Sequence, residues 1–311
     1  MNWFTREVIP TRTPAVVAIV AVVAIGLDAG LTINGVLSAN TPNVTFSLGT
    51  ANRDVAYCNS ETLDLYIPTA SGQHPLPLVV FVHGGGMTSG DKTNISPVFL
   101  DALASAGYAV ASVNYRLAPM SKFPAQIEDV KCAIRFLRDR AATYGLDGSQ
   151  VFAFGTSVGG ELVALAALTG PHSVFDIGPY LNQPSDVTAV VDMFGPANLT
   201  EDAGFSSEGI LRVFGINANQ GQLMRASPTH YVVANAPPIL LVQGVQDAKV
   251  HESQSVELYK DLIAAGDQTQ LVLVQNMGHM FVQVGSKPID PSLDQIGQDV
   301  VDFFNGYTVR S

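Results

Sequence analysis

Residues 151–160 read Val-Phe-Ala-Phe-Gly-Thr-Ser-Val-Gly-Gly, an apolar run that enters a glycine-flanked serine and continues into a helix-patterned segment carrying Leu162, Ala166 and Leu168. Within it, Gly155-Thr156-Ser157-Val158-Gly159 is a Gly-x-Ser-x-Gly pentapeptide. Alone, the pentapeptide is an ordinary glycine-rich turn. Between a buried strand and a helix it predicts a sharp turn that strains the backbone at Ser157, with Gly155 and Gly159 present because side chains there would collide. Such a turn presents the serine Oγ. It also aims the first helix amides, that of Val158 among them, at an anion forming on an attacked carbonyl. Ser157 is the candidate nucleophile.

Working outward, short β-rich runs alternate with longer helical patterns from residue 40 to the end, and no Pro/Ser linker divides them. The pattern predicts strands at 63–67, 78–82, 109–114, 151–154, 189–193, 239–243 and 271–274, and helices near 97–106, 125–143, 159–169, 252–265 and 292–305. Several strands are apolar almost throughout, as expected for a mostly parallel central sheet covered by helices on both faces. A single α/β domain over 40–311 is therefore expected. The glycine-punctuated stretch 196–235 is read as a cleft-forming insertion or partial cap.

Upstream of the serine, the strand at 78–82 runs into His83-Gly84-Gly85-Gly86. Successive glycines let main-chain N–H groups approach a ligand closely, so the amides of Gly85 and Gly86 join that of Val158 as candidate oxyanion donors. His83 and Gly84 are read as support for this loop. A phosphate loop is excluded by the absence of GxxxxGK[ST]. The base candidate is His279, which follows the strand LVLV and the turn Gln275-Asn276-Met277-Gly278; His74, His172, His230 and His251 have weaker settings. Asp247, after the strand PPILLVQG, is the candidate acid, with Asp192 as its competitor. The order Ser157, Asp247, His279 is that of hydrolases built on this strand-turn-helix frame.

The 311 residues are 47% hydrophobic and 14% charged, with 16 Lys+Arg against 27 Asp+Glu for a net charge of -11. That composition supports a substantial core, and without a basic run it argues against nucleic acid as a partner. Residues 1–39 begin with Arg6 and Arg12, continue through PAVVAIVAVVAIGL and reach Leu37-Ser38-Ala39. The order matches a signal peptide, and the apolar run falls short of the roughly 20 residues that span a bilayer. A secreted or extracytoplasmic protein without stable membrane insertion follows, the alternative being an uncleaved N-terminal anchor. Cys58 and Cys132 are either one disulfide or two buried thiols. Neither they nor any other cluster suggests a metal site.

Together these motifs resemble the α/β-hydrolase superfamily, particularly the hormone-sensitive-lipase-like and bacterial feruloyl or acetyl esterases. The resemblance runs over roughly residues 55–307 and rests on LDLYIP at 63–68, HGGG at 83–86, NYRLAP at 114–119, FPAQIEDVKCAIRFLR at 123–138, GTSVGG at 155–160, Asp247 and His279. It implies cofactor-free serine ester hydrolysis through an acyl-enzyme, on short- to medium-chain esters or ester-decorated polymers. It also implies that Arg116 and Asp129 form a structural ion pair. A serine peptidase of the same fold and a noncatalytic binding protein are the alternatives. The chain departs from the pattern at Val158, where relatives commonly carry Ala, and at Glu161, where many carry His or Gln. The short segment before Leu63 leaves little material for an N-terminal cap, so a fairly open cleft is expected.

Overall fold

A computed structural model describes residues 48–69, 75–201 and 203–309; the leader expected over 1–39 lies outside them. Eight strands form one sheet in the order β1-β2-β4-β3-β5-β6-β7-β8. They are β1 Leu48–Ala56, β2 Thr62–Pro68, β3 Leu76–Val82, β4 Ala109–Val113, β5 Leu146–Thr156, β6 Val190–Met193, β7 Ile239–Gly244 and β8 Thr269–Val274. From β4 through β8 all neighbours are parallel, while β2 pairs antiparallel with both β1 and β4. This is the α/β-hydrolase arrangement. The helices are α1 Pro97–Ser105, α2 Ala125–Asp139, α3 Ala141–Tyr144, α4 Val158–Thr169, α5 Ser207–Phe214, α6 Gln220–Ala226, α7 Glu252–Ala265 and α8 Leu293–Asn305.

The apolar strands are explained by burial on both faces. In β3, Leu76, Leu78, Val80 and Val82 enter the core layer shared with α2 and α4, including Ile134 and Leu165. The alternate residues Val79 and Phe81 enter the opposite layer with Phe99 of α1 and Phe304 of α8. Period-two alternation thus feeds two cores, each large side chain contributing about 1.5–3 kcal/mol by leaving water.

Two elements differ from the sequence expectation. Strand β1 was not foreseen, because LGTANRDVA is a polar, largely exposed edge strand whose pairing with β2 is interrupted by register shifts. The helix expected over 125–143 is two helices, since Arg140 leaves helical dihedrals (φ -99°, ψ 6°) before Gly145 ends α3 in the left-handed region. The 196–235 stretch consists of short helices joined by loops. Ser206 caps α5 through Gly209 N, Asn219 and Gln222 form a capping box on α6, and a 3-10 turn follows over Pro228–Tyr231. Among the described residues, no helix is long and apolar enough to cross a membrane.

Cys58, just after β1, is bonded to Cys132 on α2, with Cα atoms 6.3 Å apart and 74 positions between them in sequence. Both residues are buried. Closing a loop of this length restricts the unfolded chain by about 4 kcal/mol in the chain-entropy treatment. The double variant Cys58→Ala/Cys132→Ala is therefore expected to lose about 2–5 kcal/mol in urea unfolding. Equal midpoints for the two proteins would show that the bridge adds nothing.

Candidate active site

The C-terminal ends of the parallel strands bring the candidate residues to one edge of the sheet, where such folds form their clefts. β5 delivers Ser157, whose backbone sits at φ 55°, ψ -128°, a region that costs a non-glycine residue about 1–3 kcal/mol. The packing around it shows why glycines flank it. A Cβ on Gly155 would lie 2.1 Å from Gly159 O, and one on Gly159 would lie 2.0 Å from Val82 O. Ser157 is 5% exposed.

His279 follows β8 and a turn. Its Nε2 lies 3.0 Å from Ser157 Oγ and its Nδ1 2.7 Å from Asp247 Oδ2. Asp247, three residues beyond the glycine that ends β7, is anchored by more than the imidazole. Its Oδ1 accepts the amides of Lys249 and Val250 at 2.8 and 2.9 Å. Burial opposes its charge, yet the hydrogen bonds from His279, Lys249 and Val250 outweigh that penalty and hold the carboxyl below its ordinary range. Behind it, Gln243 reaches Val250 O and is itself held by Ser255. Phe194 packs edge-on to the His279 ring at 5.1 Å.

The glycine loop lies beside the serine. A Cβ on Gly84 would come 3.0 Å from Ser157 Cβ, and Gly85 and Gly86 take positive φ values of 116° and 63°. Among the described residues, no acceptor takes the amides of Gly85, Gly86 or Val158. His83 is buried away from the triad, with Nδ1 2.7 Å from Gly84 O and its ring stacked on Tyr115 at 4.3 Å. Burial lowers its pKa, a shift that its hydrogen bond to Gly84 only partly offsets. The Tyr115 hydroxyl donates to His83 O at 2.9 Å. Tyr115 was not singled out in the sequence, although its place in NYRLAP, beside the charged Arg116, marks the turn. Arg116 and Asp129 do meet: Nε donates to Oδ2 at 2.8 Å, and the Arg116 amide donates to the same oxygen at 2.9 Å. Asn59, next to the disulfide, donates to Asp129 Oδ1 at 2.7 Å. Asp192, the competing acid, lies elsewhere: its Oδ1 accepts from Gly195 N at 2.9 Å, and His279 takes Asp247 instead.

With serine, imidazole, carboxylate and unclaimed amides in place, residues 63–262 match the BD-FAE family model. The chain belongs to the BD-FAE family. Among curated relatives of this BD-FAE member, esterase LipC of Mycobacterium tuberculosis is 29% identical, the match covering 71% of this chain and 57% of LipC. Esterase LipQ of the same organism is 30% identical, with 66% and 50% covered. The chain thus spans about half the length of these relatives. A truncated carbohydrate esterase from gut microbiota superposes with a TM-score of 0.72 at 28% identity, over 84% of this chain and 96% of that one. Propionate-bound Est2 of Thermogutta terrifontis, 22% identical with a TM-score of 0.66 and 87% and 97% covered, shares the fold.

Because the folded Asp247 pKa lies below the ordinary value of 3.8, its charge stabilises the native state above that value, and the contribution is lost as pH falls through the folded pKa. The stability difference between wild type and Asp247→Asn should be largest above about pH 5 and shrink toward pH 2. Thermal unfolding across that range checks it; a gap that widens on acidification contradicts the role of the charge.

Proposed function

We propose that this protein is a serine carboxylic-ester hydrolase. The observation that carries the reading is His279, bonded at once to Ser157 Oγ and Asp247 beside three unclaimed amides. His279 takes the Ser157 proton as Oγ attacks the ester carbonyl, while Asp247 holds the imidazole in the required tautomer and stabilises its protonated form. The amides of Gly85, Gly86 and Val158 receive the developing oxyanion; losing one such donor typically costs about 3–4 kcal/mol of transition-state stabilisation. Collapse expels the alcohol, protonated by His279, and water repeats the attack on the acyl-enzyme. No step calls for a cofactor or metal.

For the substrate, we favour short acyl groups on hydroxylated or polymeric alcohols. The superposed gut-microbiota protein is described as a carbohydrate esterase, which supports an alcohol rich in hydroxyls. We also favour export. The basic-then-apolar start supports it, and the Cys58–Cys132 bridge suits an oxidising compartment. N-terminal sequencing of the protein from culture medium is expected to begin close to Asn40; recovery of the intact leader in membranes would favour the anchor.

Wild type should be labelled at Ser157 by a serine-reactive organophosphonate, read by intact mass, and should hydrolyse acetyl esters in a panel that includes peptides. Ser157→Ala is expected to lose the label and to lower turnover by about 10³-fold or more with the fold retained. His279→Ala should match it. A labelled Ser157→Ala protein, or turnover of peptides alone, would remove the esterase reading.

A further inference from the structure

Asp192 occupies the penultimate position of β6 without belonging to the triad, and what surrounds it ties the nucleophile to the base. Its Oδ1 accepts the Gly195 amide and lies so close to α4 that a Cβ on Gly160 would come within 2.0 Å of it. A Cβ on Gly195 would meet both that oxygen, at 2.4 Å, and the Glu161 amide nitrogen, at 2.7 Å. The turn closed in this way carries two further contacts. Met193 O accepts the Ser157 amide at 2.9 Å, and Phe194, at φ 46°, sets its ring against His279. Glu161, in the first turn of α4, is fully buried, and neither of its carboxylate oxygens has a hydrogen-bond partner.

We propose that Asp192 and Glu161 are positioning residues, a buried acid pair that clamps the Met193–Gly195 turn against α4 and aligns Ser157 with His279 only while it retains one proton. The inference rests on the esterase reading for its consequence in turnover. Burial pushes Asp192 up to about 7, a shift its bond from Gly195 only moderates, and burial together with the Asp192 charge raises Glu161 well above the carboxylate range. Tyr115 faces Glu161 from the turn after β4 and is itself raised, mainly by burial. Among the described residues, no lysine, arginine or histidine acts on either carboxylate. The first proton therefore leaves Asp192, whose ionised form the Gly195 N–H favours, and Glu161 holds the second. Removing both leaves two buried like charges that repel each other, which forces the turn and α4 apart.

Phosphonate labelling rates, kcat and KM for a soluble acetyl ester, and thermal unfolding are to be measured against pH for wild type, Glu161→Gln and Asp192→Asn. Wild type is expected to show a reversible alkaline loss in kcat and labelling with little change in KM. Glu161→Gln, which cannot ionise, should move that limb up by at least about one pH unit. Asp192→Asn keeps the acceptor for Gly195 but removes one of the two charges, so the like-charge pair cannot form and the limb should move up, as in Glu161→Gln. Raised acids lose their stabilising contribution as pH rises through the folded pKa, so Glu161→Gln should gain melting temperature relative to wild type on the alkaline side. Glu161→Met serves as the second neutral variant should glutamine not fold. Alkaline limbs that coincide with that of wild type, and parallel unfolding curves, in the folded proteins would overturn the pair. A wild type that neither labels nor turns over ester would instead defeat the esterase reading, and the unfolding curves would still decide whether the pair holds its proton.

Discussion

A serine with positive φ, wedged between the end of β5 and the start of α4, is the constraint that the rest of the fold is arranged to maintain. The strain of about 1–3 kcal/mol is small beside the two apolar layers that grip both sides of the sheet. It is imposed by approach rather than by local preference: Gly155, Gly159 and the ends of β3 and β6 come too close for the chain to relax into an ordinary helix start. The same closeness leaves Val158 N without an intrahelical acceptor and sets it beside the glycine loop after β3.

Around this point the fold distributes support along contacts that run far from the chemistry. The disulfide fixes the β1–β2 turn to α2, and Asn59 then reaches Asp129, which holds Arg116. Next to Arg116, Tyr115 stacks on His83 and bonds its carbonyl, directly ahead of the glycines that offer their amides. Each hydrogen bond or ring contact in this series is worth about 1 kcal/mol or a little more, yet together they hold the glycine loop in place.

Buried carboxylates at the site meet opposite fates. Hydrogen bonds from His279, Lys249 and Val250 hold the Asp247 pKa down, whereas Glu161 has no hydrogen-bond partner and burial raises its pKa. Burial raises both pKa values, and hydrogen bonding reverses that shift for Asp247 alone. An acid that must hold a positive imidazole needs that full complement. An acid that only packs beneath the elbow does not.

How much of this was legible depends on the range of the interaction concerned. The serine turn, the glycine loop, the strand order of chemistry-bearing residues and five helices could be read from the chain, because each is a local pattern of periodicity and small residues: 252–265 matches α7 in both ends. Strand β1 escaped, since its exposed polar edge has no hydrophobic alternation and exists through pairing with β2. Likewise Asp192, near the end of a buried strand, and Asp247, just after one, look alike in sequence. Only the packing of β6 and β7 turns one toward Gly195 and the other toward His279. The joining of Cys58 to Cys132, the raised pKa of Glu161 and the place of Phe194 against His279 were likewise settled by tertiary structure, because proximity, desolvation and ring contact belong to residues that meet only when the sheet is assembled.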